Sequence, residues 1–268
     1  MNKLSKVIRN PKTYVLRAVH IMEQRLSYLL KNNAFFLQGQ MDINPRSKWH
    51  NPEFVRTSGG FFPKNSSERI IVDLAPYDCT RRDMLVLLLR TVVECDVKGD
   101  LAEVGVYKGE TAKLIHYFVP ERDLYLFDTF EGFGPRSAAS EQEKIGLSIS
   151  ESHFSDTNLE KVNQYISPRN HNVIYRKGYF PESIPGELYK HTFAFVHLDA
   201  DLYEPTYKGL EFFYPRVSDG GMMVIHDYNA WPGARKAVDD FFSSKSEIPI
   251  PMPDKSGSAL VVKLKKVC

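Results

Sequence analysis

Residues 99–132 read GDLAEVGVYKGETAKLIHYFVPERDLYLFDTFEG, and this stretch decides the fold. Leu101–Val104 is a short apolar run broken by one carboxylate, Glu103, and bounded by Gly99 and Gly105. Such a run predicts a strand buried on both faces. From Glu110 to Phe118 the apolar Ala112, Leu114, Ile115 and Phe118 recur at helical spacing, which puts Gly109 in the turn just before a helix. A glycine there lets backbone approach a ligand with no Cβ between them, and the helix N-terminus offers unpaired N–H groups. Leu124–Phe127 predicts the next strand, ending in Asp128, where a carboxylate can hold two ribose hydroxyls. The unit reads as a nucleotide cradle; the bland alternative is a tight strand-to-helix turn without a ligand.

Dinucleotide enzymes use G-x-G-x-x-G. Here the turn is Gly105-Val-Tyr-Lys-Gly109, preceded by Glu103, so that fingerprint fails. The acid-led E-x-G-x-x-x-G turn resembles that of S-adenosylmethionine-dependent methyltransferases, whose ligand has a carboxylate and a sulfonium but no pyrophosphate. The resemblance implies that Glu103 lies near the methionine end, that Asp128 holds the ribose, and that Gly105, Tyr107, Gly109 and Thr111 border the cofactor.

A chain of 268 residues with 43% hydrophobic and 25% charged residues can bury a full core, and it predicts one catalytic domain with some decoration. The net charge of +2 argues against a dedicated nucleic-acid binder. Cys79, Cys95 and Cys268 are odd in number and scattered, which fits a reducing cytoplasm. No apolar run reaches membrane-spanning length and no signal-peptide core follows the basic start, so a cytoplasmic location is expected. That start is locally cationic: residues 1–31 hold Lys3, Lys6, Arg9, Lys12, Arg17, Arg25 and Lys31 against the single acid Glu23. In it Val15, Val19, Met22, Leu26 and Leu29 form an apolar seam on one helix face. The seam must be covered, by the catalytic domain, by a second copy in a homo-oligomer, or by an anionic membrane surface. Residues 32–69 lack periodicity and hold Gly39, Pro45, Pro52, Gly59, Gly60 and Pro63, as an irregular cap would. The expected division is a helical extension and cap over residues 1–70 and a catalytic domain over 71–268.

Thr80-Arg-Arg-Asp83 has the form of a capping box, with Leu85, Leu88, Leu89 and Val92 following at helical spacing. The Phe133–Phe154 stretch lacks a strong period and predicts a mobile loop beside the ligand. A helix over Asn158–Ile166 leads to a third strand, Val173–Arg176, and the turn Gly178-Tyr-Phe180 puts a glycine and aromatics where an adenine would lie. Phe193–Leu198 is a fourth buried strand ending in Asp199-Ala-Asp201, and Met222–Ile225 a fifth ending in His226-Asp227. Helices are expected from Pro205 to about Tyr214 and over Gly233–Phe242, then two closing strands from IPIPMP and Ser258–Leu264. This alternation predicts a doubly wound, mostly parallel seven-stranded sheet. Ligands then sit beyond the carboxyl ends of the strands, where Gly105, Asp128, Asp199 and Asp227 converge. Carboxylates on neighbouring strands repel unless they share a cation, although Asp at a strand end is also a common cap.

GDLAEVGVYKGE, LYLFDTFEGF, the Gly178 turn, HLDADLYEPT and GGMMVIHDY followed by ARKAVDDF resemble the macrocin O-methyltransferase family over about Asp73–Phe242. The resemblance implies a Rossmann-like fold and methyl transfer from S-adenosylmethionine to a sugar hydroxyl of a glycan, glycolipid or glycosylated natural product. It also implies a divalent metal at the acceptor. Asp199 then matches a metal ligand and general base, Asp227 a second ligand, and Asp201 is a further candidate base. The family commonly has two acids before the tyrosine, whereas the first is His226 here; a nitrogen donor shifts preference from magnesium towards manganese, iron or zinc, removes one ligand, or leaves His226 a structural hydrogen-bonder. His197 is a third candidate base, though a histidine inside a buried strand more often bonds within the core. The rival readings are a catechol-type phenol O-methyltransferase, an NAD-linked oxidoreductase, which the broken glycine fingerprint disfavours, and a noncatalytic nucleotide-binding scaffold, which the acids at two strand ends disfavour.

Overall fold

Seven strands form one sheet: β1 (Asp100–Val104), β2 (Leu124–Asp128), β3 (Val173–Lys177), β4 (Phe193–Leu198), β5 (Val217–Ile225), β6 (Ile250–Pro251) and β7 (Ala259–Val262). In this computed structural model, which describes residues 78–166 and 172–264, their order is β3-β2-β1-β4-β5-β7-β6. The pairs from β3 to β5 are parallel, and β7 is antiparallel to both β5 and β6. The chain winds outward through β1, β2 and β3, then returns to place β4 on the other side of β1. Strand order therefore reverses between β1 and β4, where a doubly wound sheet opens its ligand crevice. The central strands are apolar because both faces are covered: β4 is buried throughout, and β1 after its first residue.

Among the described residues, six α-helices connect or flank the strands: α1 (Cys79–Glu94), α2 (Glu110–Phe118), α3 (Gly134–Ile145), α4 (Leu159–Ile166), α5 (Tyr203–Phe213) and α6 (Pro232–Phe242). One face of the sheet carries a cluster of rings. Phe213 of α5 packs edge-on to Phe193 of β4 at 4.9 Å, and Phe180 lies edge-on to Phe127 of β2 at 5.4 Å. Truncating such a fully buried ring to alanine costs about 3–5 kcal/mol.

The register carries the fold into the site. Phe127, Val104, Leu198 and Ile225 pair across four adjacent strands in one row. The next residue on each strand is Asp128, Gly105, Asp199 and His226, so four positions scattered over about half the sequence become one row at the sheet's edge. Backbone bonds extend the ladder to it, from Asp199 N to Val104 O at 2.7 Å and from His226 N to Leu198 O at 2.8 Å.

Two expectations need correction. Residues 133–154 are not all loop: α3 occupies Gly134–Ile145, with Pro135 in its first turn and Gly146 closing it at φ 76°. Its exposed polar face gave no strong apolar period, and Glu141 is its buried residue. Helix α1 is capped by Asp78, whose side chain accepts from Arg81 N, and not by Thr80; Asp83 instead accepts from the Arg82 side chain at 2.8 Å. The basic N-terminal seam, the irregular cap and the boundary near residue 70 lie outside the described residues.

Candidate active site

A cavity of about 400 Å³ opens over the carboxyl ends of β1, β2, β4 and β5. Of the residues singled out in the sequence, Glu103, Gly105, Tyr107, Thr111, Asp128, Gly178, Phe180, Asp199, Asp201, His226 and Asp227 all line it. Gly109 lies behind this lining, at the N-cap of α2.

At the β1–β2 edge, backbone shape dominates. Gly105 has φ 84°, and a Cβ there would stand 1.9 Å from the Asp199 carbonyl oxygen, so only glycine lets β1 and β4 end side by side. Gly109 has φ 83° and a Cβ on it would press on Ile166 and Val162 of α4 at 3.0–3.1 Å. The Asp128 carboxylate closes the turn between them: its Oδ2 accepts from Val106 N at 2.6 Å and Tyr107 N at 3.0 Å, and its Oδ1 from Phe130 N at 2.6 Å. The Thr129 hydroxyl is committed to Gly132 O at 2.7 Å, which leaves Oδ1 with room for one ligand hydroxyl where the sequence suggested two. Tyr107 is tied outward, its hydroxyl donating to Asp156 at 2.7 Å and its ring edge-on to Phe154 at 4.9 Å. Phe180 belongs mainly to the ring cluster of the core and reaches the cavity with only 8% of its surface exposed.

Two rows below, Glu103 and His197 are register partners on β1 and β4, and their side chains meet at 3.0 Å (Nδ1 to Oε1). Both are buried. Burial raises the Glu103 carboxyl well above its ordinary range and pushes His197 down to about 3, so this is a neutral pair. His197 bonds within the core and is not among the residues that line the cavity. Glu103 Oε2 has no hydrogen-bond partner among the described residues while the residue lines the cavity, which suits a ligand ammonium.

At the β4–β5 edge, ionisable groups crowd together. His226 Nδ1 lies 2.8 Å from Asp199 Oδ1 and 3.2 Å from Asp227 Oδ2. Arg81, on α1, brings its Nη1 to 3.4 Å from Asp199 Oδ2 and 3.1 Å from His226 Nε2. Burial opposes charge on Asp199, but His226 and, more weakly, Arg81 outweigh it and hold the carboxyl well below its usual range. Burial opposes charge on His226 while the Asp199 and Asp227 carboxylates favour it; the Arg81 Nη1 donor at 3.1 Å decides between them, because His226 Nε2 can accept that contact only while the ring is neutral. Asp201 is buried, faces the charges of Asp199 and Asp227, and is raised well above its usual range, so it keeps its proton and is a poor base in this state. Asp201 and Asp227 both adopt positive φ, 59° and 57°. Strain of this kind persists where the surroundings over-determine it, and it clusters at functional sites.

Ligand atoms of Asp199, His226 and Asp227 lie within 4.8 Å of one another. Two carboxylates and one imidazole suit manganese or iron at least as well as magnesium, so the donor set fits a divalent cation. The far wall comes from α3 and was not foreseen. Arg136, Ser137, Ser140 and Glu141 line the cavity from it; Ser140 donates to Glu204 at 2.6 Å, and buried Glu141 accepts from Tyr203 N at 2.9 Å. Gly233 is what lets Glu141 in, since a Cβ there would stand 2.0 Å from Oε1.

The profile of the Macrocin-O-methyltransferase (TylF) family matches residues 78–260. The chain belongs to the macrocin-O-methyltransferase family. It is an S-adenosylmethionine-dependent O-methyltransferase, and the matched segment spans every site residue named above. Among curated relatives, the demethyldecarbamoylnovobiocin O-methyltransferase of Streptomyces niveus is 27% identical over 208 residues, 70% of this chain and 72% of that one. The 8-demethyl-8-(2,3-dimethoxy-alpha-L-rhamnosyl)-tetracenomycin-C 4'-O-methyltransferase of Streptomyces olivaceus is 31% identical over 170 residues, 60% of this chain and 64% of its own length. The solved structure of the O-methyltransferase NovP superposes with a TM-score of 0.62 at 23% identity, covering 89% of this chain and all of that one, and so shares the fold. Among the described residues, no helix is long and apolar enough to cross a membrane.

Proposed function

We propose that this macrocin-family enzyme methylates a sugar hydroxyl of a glycosylated small molecule or glycan, with a divalent cation held by Asp199, His226 and Asp227. The observation that carries the reading is the continuity of one cavity from the acid-led glycine turn to the crowded acids one strand across in the same row. The names of its relatives support the acceptor class, since one acts on a rhamnosyl-bearing tetracenomycin. Ser137 and the edge of the Arg136–Glu182 ion pair give this wall polar groups for an acceptor hydroxyl, beside the rings of Phe133 and Phe154.

When bound, S-adenosylmethionine supplies a methyl group already activated on a sulfonium, and the cation supplies Lewis acidity towards the acceptor hydroxyl. What remains for the chain is alignment and proton removal. Glu103, through its unpartnered Oε2, would hold the ammonium of the methionine end; Asp128, with one acceptor position left, would hold a ribose hydroxyl. Asp199 would orient the acceptor and take its proton. Its lowered basicity in the present arrangement comes from His226 first and from Arg81 more weakly.

The test is methyl transfer from labelled S-adenosylmethionine to a panel of glycosides bearing vicinal diols, run beside catechols. Glycosides should be labelled, EDTA should abolish transfer, and manganese or iron should restore it at least as well as magnesium. Labelling of catechols alone would overturn the acceptor class, and full activity in EDTA would overturn the metal.

A further inference from the structure

A cation site normally keeps other cations away, yet Arg81 is aimed into this one. It stands in the first turn of α1, its own backbone N–H held by Asp78 Oδ1 at 3.0 Å, and its Nε lies 3.7 Å from Asp78 Oδ2. Its Nη1 reaches 118 residues along the chain to Asp199 Oδ2 at 3.4 Å and touches His226 Nε2 at 3.1 Å. The Arg81 side chain is only 16% exposed. It lines the same cavity as Asp199, His226 and Asp227, and two of its three charged or titratable neighbours are the ligands assigned to the metal.

Two physical arguments set Arg81 against a metal ion. A guanidinium does not lose its proton, so its positive charge at this place is permanent and repels a divalent ion bound to the same carboxylate. It also has donors and no acceptor, so the contact at 3.1 Å uses the lone pair of His226 Nε2 and leaves the ring hydrogen on Nδ1, which donates to Asp199 Oδ1 at 2.8 Å. In that arrangement neither ring nitrogen has a lone pair free. A metal on Nδ1, the nitrogen that faces Asp199 and Asp227, requires the hydrogen on Nε2, where it would point at the Arg81 donor. Arg81 in its present contact and a metal on His226 Nδ1 therefore exclude each other.

We propose that Arg81 is a resident counter-cation that competes with the divalent ion for Asp199 and His226, so that the site holds either the guanidinium or the metal in contact with Asp199. The inference rests on the metal reading above and assigns a positioning role to a residue outside the ligand set. Loading the metal turns the Arg81 side chain away towards Asp78, and the metal affinity is set by that exchange as much as by the ligands.

The experiment is a titration of the full-length protein with manganese, following the electron paramagnetic resonance signal of the free ion. The proteins compared are the native chain, Arg81→Gln, Arg81→Met, Arg81→Lys and the double variant Arg81→Gln/Asp199→Asn, each first checked for a cooperative thermal melt. Removing the charge should tighten manganese binding about tenfold or more in both neutral variants, whereas Arg81→Lys should stay near the native affinity. The gain should vanish when Asp199→Asn is added. Native binding of manganese with no tightening, or with weakening, in whichever neutral variant melts cooperatively overturns the competition and leaves the metal assignment standing. No binding by any of the proteins overturns both.

Discussion

The two halves of the cavity floor are built from the same sheet and sit one strand apart, yet they are held together differently. At the ends of β1 and β2, the Asp128 carboxylate is satisfied by three backbone N–H groups, and Gly105 sits where no other residue fits. At the ends of β4 and β5, Asp199, His226, Asp227 and Arg81 satisfy one another, and Asp201 stays neutral to avoid a further charge. The first half is fixed by fold and shape, so it should bind one ligand in one way. The second is fixed by charge balance, so it changes with whatever cation or proton enters. On the proposed function, cofactor binding belongs to the rigid half and proton removal to the adjustable one.

The largest expected effect lies in the adjustable half. On the proposed function, Asp199→Asn removes both ligand charge and proton acceptor and should lower kcat by roughly 10² to 10⁴. Initial rates at saturating cofactor and acceptor check this, and a rate within a few-fold of native would reassign Asp199 to a capping role. In the rigid half, Gly105→Ala should cost stability where Asp199→Asn costs turnover. A Cβ 1.9 Å from the Asp199 carbonyl oxygen, at φ 84°, forces the strand ends apart and should cost roughly 3 kcal/mol or more, read from chemical denaturation. A variant as stable as the native chain would mean that the strand ends part easily.

The smallest effect separates the halves by pH. Glu103 is raised in the folded protein, so above its ordinary value near pH 4.3 the folded state holds a proton that the unfolded chain releases. The folded state then binds more protons, and this group's contribution to stability falls as pH rises until the raised value is passed. Glu103→Gln removes that dependence. Melting temperatures from pH 5 to 8 should therefore fall more steeply for the native chain than for the variant, and parallel curves would mean that Glu103 is ionised in the fold.

The rigid half was legible in the sequence because its signals are local: the glycines of residues 105–109, the acid two residues before them and the acid ending β2 all lie within 26 residues. Asp199, Asp201, His226 and Asp227 were legible as acids and a histidine at strand ends, and the alternation of strands and helices was enough to bring them together. Their state was not. Whether each carries a charge depends on Arg81 and on burial, and nothing in the run from Thr80 to Asp83 marks Arg81 as reaching a strand more than a hundred residues away. Helix α3 was missed for another reason. Its buried surface is a single carboxylate, Glu141, so it lacks the apolar period that announces a helix, although Pro135 at its start and Gly146 after its end were usable signals.

The division of labour between the halves is tested most directly by calorimetric titration of S-adenosylhomocysteine into the native chain, Asp128→Ala and Asp199→Asn under one set of conditions. Asp128→Ala should weaken binding by about 1–3 kcal/mol, through the lost hydroxyl contact and the loosened turn, while Asp199→Asn leaves the affinity nearly unchanged. Equal affinities for all three proteins, or a greater loss in Asp199→Asn than in Asp128→Ala, would contradict the placement of the cofactor over β1 and β2.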